Sequence, residues 1–339
     1  MTALARKIIP SPVSDEGSTA FAADVIAGLK ASPKRLPPKY FYDNAGSALF
    51  ERITTLPEYY PTRCELEILN AHAQDIADLI PPNSALVEFG SGSSTKTRIV
   101  LRTAKLAAYV PVDISAEFLR EQVDSLRREY PDIAMLPVAA DFSKPFDLPA
   151  QIEALPRTGF FPGSTIGNFE PHEAAAFLRH AGRILGEGAV LIVGVDLVKD
   201  PQVLQKAYND SQGVTEQFNL NLLARINREL GAKFDLASFE HHAFFNRERS
   251  RIEMHLASLK RQRVRVAGEC IDFRAGETIH TENSYKYSIE SFGALARGAG
   301  WSPLKTWTDR DHRFSVHALR LGEAASHRRD GSARKPSAV

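Results

Sequence analysis

Residues 84–96 read SALVEFGSGSSTK: a short apolar run, Ser84–Phe89, closes on Gly90 and Gly92 ahead of Lys96. Such a run, bounded by glycine, predicts a strand covered on both faces. Glycine after a strand lets a ligand approach the backbone, and the helix predicted over Lys96–Ala104 offers free N–H groups at its start. A phosphate loop of the Walker type needs glycine directly before its lysine, and Thr95 stands there. A dinucleotide fingerprint needs a third glycine, and that place is again Thr95.

The rhythm continues on the C-terminal side. Leu106–Val112 predicts a second strand ending at Asp113, Ser115–Tyr130 a helix, and Ile133–Ala139 a third strand ending at Asp141. Thr158–Ile166 reads as a fourth strand, Pro171–Leu185 as a helix stopped by Gly186, and Ala189–Val195 as a fully buried strand. Strands alternating with helices mean parallel βαβ units whose ligands sit beyond the strands' carboxyl ends. Beyond Asp200 the pattern changes. Helices are expected over Tyr208–Leu230, antiparallel strands over Ile252–Phe273, a helix over Ser288–Ala299, and two last strands at Leu304–Trp307 and Phe314–Leu319.

Asp113 can accept from both hydroxyls of a ribose. Asp141 can accept from an adenine amino group while Phe142 packs on the base. Glu88 lies beside the glycines. Three carboxylates suit a cationic ligand without phosphate better than a pyrophosphate, and S-adenosylmethionine, with its sulfonium and ammonium, fits. The plain alternative is that Asp113 and Asp141 only cap the helices that follow them.

The 339 residues are 43% hydrophobic and 24% charged, so a mostly disordered chain is excluded. Lys plus Arg number 42 and Asp plus Glu 41, a formal charge of +1, which gives no electrostatic case for nucleic acid or an anionic membrane. Two cysteines, Cys64 and Cys270, exclude a disulfide scaffold, and no Cys/His spacing predicts a metal. The first residues lack the apolar core of a signal peptide. A cytoplasmic monomer without metal is expected.

The chain resembles the histidine Nα-methyltransferases of ergothioneine biosynthesis. The resemblance is carried by LPPKYFYDNAGSALFERITTLPEYYPTR (Leu36–Arg63), VEFGSGSSTKTR (Val87–Arg98), GSTIGNF (Gly163–Phe169), VDLVKD (Val195–Asp200), RIEMHL (Arg251–Leu256) and TENSYKY (Thr281–Tyr287). It implies an α/β fold, a Rossmann-like class I methyltransferase sheet with a second, substrate-binding lobe. Residues 1–62 and 201–286 would form that lobe, 63–200 and 287–322 the methyltransferase core, and 323–339 a flexible tail.

By the same resemblance, Gly90, Lys96, Asp113, Asp141, Phe142 and Gly163 would hold S-adenosylmethionine. Tyr59, Asn168 and Tyr208 would hold the amino-acid end of histidine; Met254, Glu282 and Ser284 would surround its imidazole. Tyr42 and Phe50 would line the place where amine meets methyl. Glu282 can accept from one ring N–H, and Ser284 can donate to or accept from the other nitrogen. Without the resemblance, Tyr42, Phe50 and Met254 read as core, Asn168 as a turn residue, and Glu282 as an acid in a polar loop. The family pattern has Trp at Tyr40 and Val at Asn283. Another amino acid such as tryptophan as acceptor, or a non-catalytic cofactor-binding regulator, are the competing readings.

Overall fold

The computed structural model describes residues 16–92 and 94–322. In chain order the helices are α1 (Glu16–Lys30), α2 (Asn44–Thr54), α3 (Tyr60–Ala71), α4 (Ala73–Ala77), α5 (Thr95–Thr103), α6 (Ala116–Glu129), α7 (Pro171–Leu185), α8 (Pro201–Tyr208), α9 (Val214–Leu230) and α10 (Ile289–Gly298). The strands are β1 (Lys34–Arg35), β2 (Ser84–Phe89), β3 (Leu106–Asp113), β4 (Ala134–Met135), β5 (Val138–Ala139), β6 (Arg157–Phe161), β7 (Val190–Asp196), β8 (Phe239–Asn246), β9 (Arg251–Ser258), β10 (Gln262–Val266), β11 (Glu269–Phe273), β12 (Thr278–Tyr285), β13 (Trp301–Thr308) and β14 (Phe314–Leu321).

The doubly covered apolar runs form the centre of one sheet. Every residue of β2 and of β7 is buried. Along β2 the sides alternate: Leu86 joins Ile99 and Tyr109 on one face, while Val87 and Phe89 join Val110 and Phe161 on the other. The order is β13-β14-β7-β6-β2-β3-β4, with β5 also on β3. β2 pairs in parallel with β3 on one side and β6 on the other. β14 runs antiparallel to both its neighbours. The order of strands therefore reverses at β2, and a crevice opens at the carboxyl ends of β2, β3 and β6.

A second sheet, β1-β12-β9-β8, stands apart from the first. Its edge strand β1 comes from the N-terminal segment and pairs with β12 through Lys34↔Ile279 and Arg35↔His280. Asp43 caps α2 by accepting from the Gly46 N–H at 2.7 Å, and it also takes Asn221 Nδ2 of α9 at 2.8 Å. Arg225 of α9 donates to the Tyr40 carbonyl at 2.9 Å. These bonds fix Tyr42 between the N-terminal segment and α9.

Four local expectations change. The third strand splits into β4 and β5, because Pro137 between them has no N–H for the ladder. The fourth ends at Phe161; Pro162 follows, then Ser164 at φ 57° and a 3₁₀ turn, Thr165–Asn168. The polar stretch that holds Glu282 is strand β12, and β8 was not expected at all. The tail, 323–339, lies outside the described residues.

The two sheets meet at the start of α7. Glu170 caps that helix, with Pro171 in the first turn and Glu173 closing a capping box. Its carboxylate accepts from Arg251 Nη1 at 2.7 Å, from Tyr285 OH and from Asn283 Nδ2 at 3.1 Å. Arg251 also donates to Glu253 at 2.8 Å. The 3₁₀ turn lies so close to β12 that a Cβ on Gly167 would stand 2.8 Å from the Tyr285 carbonyl oxygen. Arg251→Met should therefore lower the unfolding free energy by about 3 kcal/mol, since it strands two carboxylates that share one buried cation. A urea midpoint equal to that of the wild type would remove this clamp from the account.

Candidate active site

The glycine loop follows β2 directly. Gly90 has φ 78° and donates its N–H to the Val112 carbonyl at 2.8 Å, which ties the loop to the end of β3. A Cβ on Gly90 would lie 3.2 Å from the Phe142 ring, so that ring closes against the loop. Phe142 in turn packs on Phe161 and Phe177, with centroids 5.7 and 5.9 Å away.

Asp113 ends β3 and accepts from the Ser115 N–H at 2.9 Å. Burial pushes its carboxyl up, against the backbone N–H groups of Ser115, Gly92, Ile114 and Ser91. The turn-capping contact is thus present, and the same carboxylate borders the glycine loop. Asp141 accepts from the Ser143 N–H at 3.1 Å, and its other oxygen lies 3.7 Å from Lys39 Nζ. Glu88 differs from these two. It faces the protein interior, where it accepts from Thr97 Oγ1 at 2.8 Å and from Tyr109 OH. Burial pushes it to about 8, over the opposing bonds from Tyr109 and Thr97, so it is mostly uncharged at neutral pH. Glu88 therefore points away from the loop, and only Asp113 and Asp141 remain as the acids that end the neighbouring strands.

Lys96 opens α5 and lies 2.5 Å from Glu65 Oε2. Glu65, on α3, is buried, and both its oxygens accept from the Gly163 N–H, at 2.9 and 2.8 Å. Gly194 leaves the room this needs; a Cβ there would stand 2.0 Å from Glu65 Oε1. Lys96 and Gly163 thus meet through Glu65, and the Gly163 N–H is engaged within the protein.

The other half is aromatic. Tyr42, Phe50, Tyr59 and Tyr208 form a chain of edge contacts, with centroids 5.8, 6.2 and 6.3 Å apart. Phe218 of α9 closes one side, 5.9 Å from Tyr42 and 6.0 Å from Phe50. Glu282 lies opposite Met254 across β12 and β9, on one face of the second sheet. It keeps part of its surface exposed, yet burial pushes its carboxyl to about 7, against the pull of Lys286. Deep surroundings with residual exposure describe a group lining a cleft. Burial, then Glu282, Tyr59 and Asp113, push Tyr42 far above its ordinary range, so Tyr42 lies in the field of both halves. Tyr59 and Tyr208 are raised likewise, with Glu282 among the causes. Asn168 ends the 3₁₀ turn, and no hydrogen bond or ring contact joins it to Tyr59 or Tyr208 among the described residues.

Behind Ser284 lies a group that the sequence did not reveal. Ser284 Oγ is 2.7 Å from Tyr208 OH and 2.7 Å from Lys286 Nζ. Lys286 is buried and 2.7 Å from Asp196 Oδ2 at the end of β7. Asp196 also pairs with Lys199 at 2.5 Å and accepts from Tyr60 OH at 2.7 Å. Asp196 closing an apolar strand was the one visible signal; Glu65, Tyr60, Lys199 and Lys286 carried none. On the opposite face of the second sheet, ligand atoms of Glu253, His255 and His280 lie within 4.8 Å of one another. The two imidazoles stack at 4.6 Å with planes 12° apart, so their in-plane lone pairs run side by side instead of converging on an ion.

The sheet order and the glycine turn at its switch point define a Rossmann-like α/β fold. The family model described as "Histidine-specific methyltransferase, SAM-dependent" matches residues 21–321. The chain belongs to this family. It is 43% identical to the histidine N-alpha-methyltransferase of Mycobacterium tuberculosis, covering 89% of this chain and 95% of that one. The enzyme of the same name from Mycolicibacterium smegmatis is also 43% identical, with the same coverage. Ergothioneine biosynthesis protein 1 of Neurospora crassa is 30% identical over 86% of this chain, which spans 33% of that longer protein.

The raised Glu282 carboxyl has a consequence for stability. Its folded value, about 7, lies above the ordinary 4.5, so proton uptake favours the fold. That contribution is complete below the lower value and is lost as pH rises through the upper one. Glu282→Gln removes it. Between about pH 5 and pH 8 the ligand-free variant should lose less stability than the wild type, by on the order of 2–3 kcal/mol. Parallel urea titrations at the two pH values would show it; equal losses would contradict a buried, titrating Glu282.

Proposed function

We propose that the protein transfers three methyl groups to the α-amine of L-histidine, giving Nα,Nα,Nα-trimethylhistidine (hercynine), the first step of ergothioneine biosynthesis. The observation that carries this is the cleft holding Glu282 opposite Met254, with Ser284, Tyr208 and Tyr59 around it. It offers an imidazole a carboxylate, a hydroxyl and an apolar wall. An indole, with one N–H and no ring acceptor, would leave part of this set unpaired. Residues 1–62 and 201–286 act as one substrate lobe on this reading, which the pairing of β1 with β12 supports.

S-adenosylmethionine supplies the methyl group when bound. Gly90 leaves room for it, the Phe142 ring and Asp141 suit its base, and Asp113 suits its ribose. Lys96, oriented by Glu65, suits its carboxylate, with Gly163 beside it. Tyr59, Asn168 and Tyr208 hold the amino-acid end of histidine through neutral donors. Tyr42 and Phe50 bound the place of transfer. With its phenol pushed so far up, Tyr42 keeps its proton; its oxygen orients the amine rather than serving as the base. Alignment of amine, methyl carbon and sulfur does most of the work.

Asp113→Ala should weaken S-adenosylmethionine binding at least about tenfold, a charge-assisted bond contributing roughly 1.5–3 kcal/mol. Calorimetry on the folded variant decides this, and unchanged affinity would displace Asp113 from the cofactor. Glu282→Ala should cost roughly 2–5 kcal/mol in kcat/KM for histidine while cofactor affinity holds, and should narrow the preference for histidine over tryptophan. Mass spectrometry of products from the two competing acceptors reads both effects. A wild-type protein that leaves histidine unmethylated defeats the reading at the substrate; full histidine efficiency in Glu282→Ala defeats it at Glu282.

A further inference from the structure

Strand β12 does not run evenly. His280 stands opposite His255 and Glu282 opposite Met254, so Thr281 is one residue too many and shares Met254 with Glu282. Such a β-bulge sets two successive side chains on one face and reverses the alternation beyond it. Ile279 and Thr281 are buried on the inner face of the sheet. In an even strand Glu282 and Ser284 would then share the outer face with His280. The bulge turns both into the cleft.

An extra residue disturbs the ladder, and the backbone groups around it need other partners. Asn219 of α9 supplies several of them. It is 0% exposed and lies inside a helix, where an amide is costly unless it is bonded. The His255 carbonyl can only accept, so the atom that meets it at 3.0 Å is Asn219 Nδ2. Asn219 Oδ1 is left for the Thr281 hydroxyl, which donates to it at 2.7 Å, with the Met254 carbonyl 3.1 Å away. The second N–H of Nδ2 meets His241 Nδ1 at 2.9 Å. The His241 proton therefore sits on Nε2, which donates to the Tyr208 carbonyl at 2.8 Å. On the outer face, His280 Nε2 donates to the Glu282 carbonyl at 3.0 Å. Each bond of this chain fixes the direction of the next.

We propose that Asn219 is a positioning residue: it holds Thr281 in the bulge, which keeps Glu282 and Ser284 turned into the cleft, and through His241 it fixes the backbone of Tyr208 beside them. This rests on the histidine reading of the same site. Asn219 acts through others: two residues of β12 that would surround the imidazole, and one of α8 that would hold the amino-acid end. Released from Asn219, β12 can take up its extra residue elsewhere, and Glu282 then turns toward the outer face.

Two substitutions at Thr281 separate this role from packing. Thr281→Val keeps the shape of the side chain and removes the hydroxyl; Thr281→Ser keeps the hydroxyl and removes a methyl group. If Thr281 only packs, valine is the milder change, and the proposal expects the reverse. The KM for histidine should rise about tenfold in Thr281→Val, as for one lost buried hydrogen bond, with kcat within about twofold, and should stay within about threefold in Thr281→Ser. Calorimetric affinity for S-adenosylhomocysteine reports whether each variant is folded. Asn219→Ala should raise the KM at least as far, and adding Thr281→Val to it should cost less than about twofold more, because the bond is already gone. An unmoved histidine KM in folded Thr281→Val overturns the proposal. So does a serine variant no better than the valine one, or a double variant in which the two effects simply multiply. Should Asn219→Ala fail to fold, the threonine pair still decides. If the wild type leaves histidine unmethylated, the histidine reading fails and the proposal falls with it, an outcome distinct from a methylating wild type whose KM is unmoved by Thr281→Val.

Discussion

One buried carboxylate, Asp196, joins the parts of this molecule that make the site. It stands at the carboxyl end of the central strand β7 and is 1% exposed. Tyr60 reaches it from α3, Lys199 from the segment after β7, and Lys286 from just beyond β12 of the second sheet. Its backbone N–H donates to Ser164 Oγ at 2.9 Å, and its carbonyl accepts from the Tyr287 N–H at 3.1 Å. Burial alone would raise such a carboxyl; Lys286 and Lys199 outweigh it and hold it below the usual range. A buried ion cluster of this kind is weak evidence for stability, since well-packed apolar groups can do as well. Its effect is geometric: it sets Ser284 and Tyr208 at a fixed distance from the core sheet.

A second carboxylate works in the same way on the cofactor side. Glu65 joins α3 to Lys96 of α5 and to Gly163 beyond β6. Neighbouring turns of α3 therefore hold both anchors, with Tyr60 on Asp196 and Glu65 on Lys96. On the proposed reading one helix registers the substrate and cofactor halves to each other, and a methyl transfer that depends on alignment requires such registration.

Much of the core could be read from the sequence, because its strands are continuous apolar runs and its helices carry their stops. Ser84–Phe89 and Pro171–Leu185 have the bounds their residues predicted. The failures have physical causes. Pro137 breaks a strand that composition alone would continue. β12 reads as a loop because both its faces are polar: Asn283 bonds Glu170 on one, and Glu282 lines the cleft on the other. Glu65 and Lys286 look like ordinary helix and strand-end charges until the fold buries them. Glu88, which looked like part of an acidic loop, points inward and carries a proton at neutral pH. The resemblance named the candidate site residue by residue, whereas the buried charges around those residues, Glu65, Lys199 and Lys286, carried no signal in the sequence.

The central claim is that the carboxyl end of the sheet and the inner face of the second lobe form one cleft that orders cofactor, amine and imidazole in a line. A crystal structure of the protein with S-adenosylhomocysteine and L-histidine tests it most directly. The account predicts the ribose on Asp113, the α-amine beside Tyr42, and the imidazole between Glu282 and Ser284. Histidine bound in the reverse sense, with its carboxylate beside Lys286 and its ring toward the glycine loop, would contradict it.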